Sequence, residues 1–301
     1  NARSKKYKII NIIYIEIMII WIASYPKSGN TWLRAIMSQV IFNNDIKDDN
    51  WISDIHKHID SYPKFKHFKN LNSEFAKKNK LTKEETIKNW LNSQQLINKN
   101  KNIKIFKTHN MFCTLGLDNN NFSFTNLENT LGVIYIVRDP RNVITSLKNH
   151  FFLKSYDDAL NMITDSKRWI GILENEIPQA ISSWEDHFKS WNSFTKNYIL
   201  FKYEEILSNP EMQIKRLIEY LKKFAPIKCD DKKIEQISKR TSFENLKKLE
   251  KKGLFLERSI NKLNNQETDF FYLGPKNDYS KLLDDKIKFN IEKKFKKTMK
   301  L

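Results

Sequence analysis

Short apolar runs, separated by longer mixed segments, recur along the chain from about residue 19 onward. The clearest are Ile19–Ser24 and Gly132–Val137, which are rich in β-branched residues and end at turn-forming residues. This pattern is typical of buried parallel strands. Ile103–Lys107 and Tyr198–Tyr203 are similar runs. We therefore predict a parallel sheet that contains these four strands.

Apolar residues at helical spacing follow the strands. The predicted helices are Thr31–Phe42, about Thr82–Ile97, Pro140–Phe152, most of Asp157–Ser193, Pro210–Phe224, Ile234–Ser238, Phe243–Lys252 and the Lys-rich end. Thr82 and Glu85 have the spacing of a capping box. Gly253–Tyr279 is predicted to be a long loop. Strands that alternate with helices indicate a three-layer α/β fold, with a central parallel sheet flanked by helices.

The length and patterning predict one domain over residues 18–301, preceded by an N-terminal extension, residues 1–17. Ile9–Tyr25 is mostly apolar and follows several lysines, as in a signal or anchor segment. A membrane helix needs about 20 apolar residues, and Ile19–Ser24 leads directly into a turn. We therefore expect no stable membrane anchor. Whether the extension is a strand, a tail or sequence upstream of a natural start at Met18 is left open.

The composition changes this picture only slightly. The 301 residues carry a formal net charge of +18, which predicts affinity for anions. The lysines are scattered along a chain that is also rich in Asn and Ile, so a biased coding composition explains the charge better than a nucleic-acid surface does. Cys113 and Cys229 lie in no metal-binding spacing. We predict a cytoplasmic protein without a metal or a nucleic-acid partner.

The segment from Tyr25 to Trp32, YPKSGNTW, joins the first predicted strand to its helix. Amides at a helix start bind anions, and ligands of parallel sheets lie at the carboxyl ends of the strands. Lys27, Ser28 and Thr31 add a positive charge and hydroxyl donors. The GxxxxGK[ST] pattern of a Walker A loop is absent. We predict a phosphate-binding loop, although an ordinary β–α turn could have the same composition.

Two further strand ends carry chemical groups. Arg138 ends one predicted strand, and Ser146 lies two turns into the next predicted helix. An arginine can bind two phosphate oxygens at once, although Arg138 could instead form an ion pair with a carboxylate. His109 follows Lys107 at the end of another strand, where it could transfer a proton. A lone histidine is more often structural, and we interpret His150, like His67 and His187, in that way.

These segments, in order along the chain, resemble motifs of one enzyme family. YPKSGNTW resembles the 5′-phosphosulfate loop of the cytosolic-type sulfotransferases (sulfotransferase domain 1), VRDPRNVITS their 3′-phosphate motif and FKTHN the strand with their catalytic histidine. KYEEIL and RTSFENLKK resemble the segments at the nucleoside, and FFYLGPKNDY lies where the family has RKGxxGDW. We identify the chain as a bacterial-like member of this family.

The resemblance implies a P-loop-like fold, 3′-phosphoadenosine-5′-phosphosulfate (PAPS) as the sulfuryl donor, and no metal. It implies that His109 takes a proton from an acceptor hydroxyl or amine. Lys27 would stabilise the leaving phosphate and Lys107 the sulfuryl oxygens. The implied donor contacts are Lys27, Ser28, Gly29, Asn30 and Thr31 at the 5′-phosphate, Trp32 and Phe243 at adenine, Arg138 and Ser146 at the 3′-phosphate, and Tyr203, Thr241 and Gly274 elsewhere on the nucleotide.

Two departures from the family pattern bear on donor binding. Asn30 replaces a threonine and keeps a hydrogen-bond donor. Tyr272-Leu273 stand where the family has Arg-Lys, so two phosphate-binding cations are missing. We predict that Lys276 supplies part of that charge.

Two other functions are weighed against sulfuryl transfer. A P-loop kinase shares only the strand–loop–helix cradle, and a non-catalytic anion-binding module is suggested only by the net charge. The acceptor wall is predicted from Asn43–Asn102 and Ser155–Ser182, where aromatics mix with Lys and Asn. That mix favours a small-molecule acceptor such as a carbohydrate or a polar metabolite. The oligomeric state is left open.

Overall fold

A computed structural model describes residues 19–42, 49–99, 102–171, 176–257, 259–261 and 266–299. The predicted extension, residues 1–17, lies outside the described residues, so the division at residue 18 stays a prediction. The strands are β1 (Ile19–Ala23), β2 (Asp60–Ser61), β3 (Lys104–Thr108), β4 (Thr114–Leu117), β5 (Asn120–Ser123), β6 (Thr130–Val137), β7 (Trp169–Ile170), β8 (Gln179–Ala180), β9 (Tyr198–Lys202), β10 (Ser259–Asn261) and β11 (Gln266–Thr268).

A five-stranded sheet in the order β2-β3-β1-β6-β9 forms the centre of the fold. All of its pairings are parallel, and its four longest strands are those that the apolar runs predict. Ala23 of β1 is in register with Thr108 of β3 and Tyr135 of β6. The carboxyl ends of the three central strands therefore meet at one edge of the sheet.

The alternation of side chains along β1 builds two cores, one on each face of the sheet. Ile20 and Ile22 pack with helices on one face. Ile19, Trp21 and Ala23 pack with a separate, aromatic cluster on the other face. Successive strand residues point to opposite faces, so a run that is apolar at every position requires cover on both sides. This pattern explains why β1 is fully buried.

The α-helices are α1 (Asn30–Ile41), α2 (Ile55–His58), α3 (Lys83–Asn98), α4 (Pro140–His150), α5 (Tyr156–Thr164), α6 (Trp184–Asn192), α7 (Tyr203–Ser208), α8 (Pro210–Leu221), α9 (Asp231–Arg240), α10 (Phe243–Lys251), α11 (Tyr279–Leu282) and α12 (Asp285–Phe295). The capping box of Thr82 and Glu85 forms at the start of α3. Asp139 caps α4, and Pro140 is its first residue. Within the described residues no helix is both long and apolar enough to span a bilayer.

The predicted helix over most of Asp157–Ser193 is wrong in its middle. Helix α5 ends at Thr164, and the paired two-residue strands β7 and β8 precede α6. Gly171 has a φ of 71°, a conformation that helices do not contain, and Pro178 lacks the amide that a helix interior needs. The predicted loop over Gly253–Tyr279 contains the short hairpin β10–β11.

Candidate active site

The loop after β1 has the backbone of an anion cradle. Lys27 and Gly29 have φ values of 65° and 101°, and α1 begins at Asn30. A Cβ atom on Gly29 would lie 2.6 Å from Cδ2 of Tyr203, so the position requires glycine. The positive φ at Lys27 is uncommon for a residue with a side chain. The first amides of α1 are directed to the carboxyl edge of the sheet, where the helix dipole favours negative charge.

A cavity of about 920 Å³ opens at this edge. Its lining residues include twelve of those predicted from the sequence: Lys27, Gly29, Asn30, Thr31, Trp32, Lys107, His109, Arg138, Ser146, Tyr203, Phe243 and Gly274. The residues come from the ends of β1, β3, β6 and β9 and from the helices that follow. The volume is that of a pocket for a substrate of moderate size.

Three polar atoms in or beside the cavity wall are buried without a hydrogen-bond partner among the described residues: Oγ of Ser28, Oδ1 of Asn30 and Nε of Arg138. A buried polar group without a hydrogen bond is costly, and an anion at this edge of the sheet could accept from Ser28 and Arg138. Nη1 of Arg138 lies 3.2 Å from Oγ of Ser146, and its guanidinium lies 4.0 Å from the ring centroid of Tyr203. These contacts hold Arg138 at the cavity wall.

Two aromatic residues form another part of the wall. Nε1 of Trp32 donates to the carbonyl of Thr241 at 2.8 Å, which fixes the indole. Gly274 lies against Phe243, since a Cβ atom on that glycine would come within 2.3 Å of the ring. The hydroxyl of Thr241 donates to Ile237 within α9. Thr241 therefore acts on the wall through its carbonyl.

Asn30 and Lys276 have positions that the sequence did not predict. The amide of Asn30 donates to the carbonyl of Ile22 and to Oγ of Ser24, each at 3.1 Å, so its side chain binds the strand rather than the loop. Lys276 is exposed and is not among the residues described as lining the cavity. Its neighbour Asn277 is buried and donates to Ser146 at 3.3 Å.

The two lysines and the histidine share the end of the cavity at β1 and β3. Burial, together with the charges of Lys107 and Arg138, lowers the pKa of Lys27 to about 7. Burial also lowers the pKa of Lys107 to about 8, an effect that Glu257 opposes. Nζ of Lys27 lies 3.8 Å from the ring centroid of Phe270. A bound anion at this end of the cavity would therefore favour the protonated forms of both lysines.

The ring of His109 is oriented by the end of β1. Its Nδ1 lies 2.8 Å from the carbonyl oxygen of Ser24, which can only accept, so Nδ1 carries the proton in the neutral ring. Its amide donates to Oε1 of Gln179 at 3.1 Å. Burial and the charge of Lys107 hold the pKa of His109 well below its usual range. Nε2 of the neutral ring is then free of a proton and could accept one.

Sequence reasoning missed three residues at the site. His187 donates from Nε2 to the carbonyl of His109 at 3.1 Å, and its Nδ1 lies 2.8 Å from the hydroxyl of Tyr135. His150 lines the cavity, and its place four residues after Ser146 on α4 could have indicated this.

Glu257 is the third of these residues. Its two carboxylate oxygens accept from Nη1 of the buried Arg34 at 2.7 and 2.9 Å, and Oε2 lies 3.4 Å from the hydroxyl of Thr31. Burial disfavours its charge, but Arg34 and Lys107 outweigh that effect and lower its pKa. This contact comes from a loop far along the chain, and no local pattern marks it.

A family model described as "Sulfotransferase domain" matches residues 19–301. The chain belongs to this family. It is 28% identical to mouse Sulfotransferase 1B1 over 233 residues, and 26% identical to the luciferin sulfotransferase of Photinus pyralis over 231 residues. Each alignment covers 75% of this chain, but 64% and 56% of the respective relative. The chain thus spans less than two thirds of the length of these relatives.

Solved structures share the fold at low sequence identity. A crystal structure of retinol dehydratase with retinol and PAP (adenosine-3′,5′-bisphosphate) has a TM-score of 0.60 at 16% identity and covers 92% of this chain and 80% of that one. Mouse sulfotransferase SULT7A1, complexed with PAP, has a TM-score of 0.54 at 16% identity, with coverage of 94% and 85%. The predicted P-loop-like α/β fold and the predicted family are confirmed.

Proposed function

We propose that the protein transfers the sulfuryl group of PAPS to a hydroxyl or amine of a small molecule. The proposal rests on family membership together with one cavity that combines a phosphate-binding loop, two lysines and a neutral histidine. In the proposed reaction the bond from sulfur to the phosphate oxygen breaks, and its electron pair stays with the phosphate. A new bond forms between sulfur and the acceptor oxygen or nitrogen, whose proton goes to His109. The products are PAP and the sulfated acceptor.

The observation that carries this proposal is the orientation of His109. The carbonyl of Ser24 holds the proton on Nδ1, which leaves Nε2 as the proton acceptor. The lowered pKa of His109 keeps its Nε2 unprotonated at neutral pH. Negative charge from a bound donor would offset the effect of Lys107 and raise the pKa of His109 during the reaction. We therefore assign His109 as the general base.

In this proposal Lys27 and Lys107 stabilise the negative charge that develops during sulfuryl transfer. The donor supplies an activated sulfuryl group, and Lys27 would stabilise the phosphate that leaves, while Lys107 would neutralise the sulfuryl oxygens. Ser28, Gly29, Asn30 and Thr31 would hold the 5′-phosphate, with Asn30 contributing its backbone amide because its side chain is engaged elsewhere.

The remaining donor contacts follow from the other cavity walls. Arg138 and Ser146 would bind the 3′-phosphate, which would satisfy Nε of Arg138. Trp32 and Phe243 would enclose the adenine, and Tyr203, Thr241 and Gly274 would complete the nucleotide site. A contribution from Lys276 stays a prediction.

The acceptor is proposed to be a small molecule with polar groups. One solved relative is complexed with retinol and another crystal of that protein with androsterone, which shows that their cavities take small organic molecules. In this chain the cavity wall away from the donor residues combines Phe151, Ile170 and Ile177 with Gln179 and Asn149. This mixture supports a carbohydrate or another polar metabolite.

Calorimetric titration tests the donor site first. We expect micromolar binding of PAP, much weaker binding of adenosine-5′-phosphate and of ATP, and loss of this preference in Arg138→Ala. Transfer of radiolabelled sulfuryl from PAPS to a panel of alcohols and phenols then tests the reaction. His109→Ala should lower kcat by about 10²–10⁴-fold and leave PAP binding intact.

Two results would overturn the proposal. Magnesium-dependent phosphoryl transfer from ATP would favour a kinase. Binding that collapses with salt and ignores the 3′-phosphate would favour a general anion-binding module.

A further inference from the structure

A buried asparagine contacts the serine that is proposed to bind the 3′-phosphate. Asn277 follows the short turn that begins at Gly274. Its Nδ2 lies 3.3 Å from Oγ of Ser146 and 2.9 Å from the carbonyl oxygen of Asn142, both on α4. Its Oδ1 lies 2.6 Å from the hydroxyl of Thr145. These contacts attach the C-terminal segment to the first two turns of α4.

The contacts fix the orientation of the Asn277 amide. The carbonyl oxygen of Asn142 can only accept a hydrogen bond, so the amide atom beside it is the nitrogen. The opposite orientation would place two acceptor oxygens against each other. The amide oxygen then accepts from the hydroxyl of Thr145, whose proton is shared with the carbonyl of Asn142. Asn277 therefore presents a donor to Ser146.

Two donors thus meet at the hydroxyl oxygen of Ser146. Nη1 of Arg138 lies 3.2 Å from Oγ and Nδ2 of Asn277 lies 3.3 Å from it, and neither nitrogen can accept a hydrogen bond. A hydroxyl oxygen has two lone pairs and carries one proton. Both lone pairs are engaged, and no acceptor among the described residues is bonded to the proton. Since Ser146 lines the cavity, its proton is available to a bound anion.

Asn277 also blocks the alternative partner of that proton. A serine within a helix often donates to the carbonyl four residues earlier, which for Ser146 is the carbonyl of Asn142. Nδ2 of Asn277 donates to this carbonyl. The same amide therefore occupies a lone pair of the hydroxyl and the carbonyl to which the hydroxyl could turn.

We propose that Asn277 is a positioning residue for the sulfuryl donor, because it keeps Ser146 a hydrogen-bond donor to the 3′-phosphate. This inference rests on the proposed function. Asn277 stands at the second glycine of the RKGxxGDW pattern, so the family pattern does not contain this side chain. The contact is uncharged and lies in the same segment as Tyr272-Leu273, where two cations are missing.

The test measures the preference for a 3′-phosphate, which is the dissociation constant of adenosine-5′-phosphate divided by that of PAP. Calorimetry gives this ratio for the wild type, Asn277→Leu, Ser146→Ala and the double variant. Asn277→Leu has a similar size without a hydrogen-bonding group and should lower the ratio about three- to tenfold, the size of one hydrogen bond. Ser146→Ala should lower it at least as much. With Ser146→Ala present, Asn277→Leu should cause no further loss, because Asn277 acts through Ser146.

A purely structural role of Asn277 would give a different result. The segment that Asn277 attaches to α4 also carries Gly274, which lines the cavity. Loosening this segment would weaken the binding of both nucleotides, and the loss would add to that of Ser146→Ala. Asn98→Leu is the matched control, since it makes the same exchange at a buried asparagine of α3, and it should leave the ratio unchanged. Asn277→Gly removes the side chain without inserting an apolar one and should reproduce the loss.

The possible failures are distinguishable. An unchanged ratio in both Asn277→Leu and Asn277→Gly, equal losses for the two nucleotides, or additive losses in the double variant would overturn the role of Asn277 alone. A wild-type protein that binds PAP no better than adenosine-5′-phosphate would instead overturn the proposed donor site.

Discussion

Two groups of strand ends at the cavity, those of β1 and β3 and that of β6, carry positive charge on different side chains. At the ends of β1 and β3, Lys27 and Lys107 have pKa values lowered to about 7 and about 8. At the end of β6, Arg138 presents a guanidinium, a group that stays charged in proteins. It contacts Ser146, the ring of Tyr203 and, at 3.4 Å, the backbone carbonyl of Lys27. A lysine whose pKa is close to neutral pH gains a proton when negative charge binds or develops beside it. An arginine binds an anion in fixed geometry without such a response. The comparison separates a proposed catalytic end, at β1 and β3, from a proposed binding end, at β6.

The largest effect is expected at the catalytic end. Lys27→Ala should lower kcat for sulfuryl transfer by about 10²–10³-fold, because the proposed role of Lys27 is to stabilise the charge that develops on the leaving phosphate. Rapid-quench assays at saturating PAPS measure this loss. Lys27→Arg is the matched control and should retain more activity. A change confined to KM would mean that Lys27 binds the donor without acting on the reaction.

The next effect concerns the binding end. Arg138→Ala should weaken PAP binding by about 10- to 100-fold, the cost of a charge-assisted contact, and leave adenosine-5′-phosphate binding unchanged. Calorimetry on both nucleotides measures the difference. Equal losses for both nucleotides would place Arg138 at another part of the donor and remove the contrast between the two ends.

The pH dependence of binding should also differ between the ends. Above pH 7 the empty protein loses the proton of Lys27, whose pKa is lowered to about 7, whereas a bound anion favours the protonated form. The dissociation constant of PAP should therefore rise between pH 7 and 9, by at most about tenfold per unit for each lysine involved. Lys27→Arg should show a smaller slope. A flat profile in the wild type would contradict the lowered pKa.

The smallest effect is expected at Lys276, which is exposed. Lys276→Ala should change PAP affinity by less than about twofold, as is usual for exposed charges, with Lys281→Ala as a second exposed lysine for comparison. A tenfold loss would show that Lys276 supplies the charge missing at Tyr272-Leu273, and the binding end would then contain two cations.

Much of the cavity wall could be predicted because its signals are local. Lys27 and Gly29 lie between a strand and a helix within a few residues, and Arg138 and His109 each directly follow a strand. A parallel sheet brings such ends together whatever the rest of the chain does. The apolar runs of β1 and β6 predicted that sheet for the same reason.

The missed residues depend on contacts between distant segments. Glu257 meets Arg34 from a loop more than two hundred positions away, and His187 reaches His109 from α6. No local sequence pattern marks these side chains, because their hydrogen-bond partners come from distant segments that meet only in the folded protein. The hydrogen bond from the side chain of Asn30 to the carbonyl of Ile22 likewise could not be predicted, because it depends on how α1 packs against β1.

Ser24 connects His109 to the loop after β1 through its backbone. Its carbonyl accepts from Nδ1 of His109, and its amide donates to the carbonyl of Thr108 at 3.4 Å. Lys27 follows three residues later. In the proposed reaction, proton uptake at His109 and departure of the phosphate at Lys27 are therefore both tied to the end of β1. The pairing of β1 with β3 thus sets the separation between the two residues proposed to act at these steps.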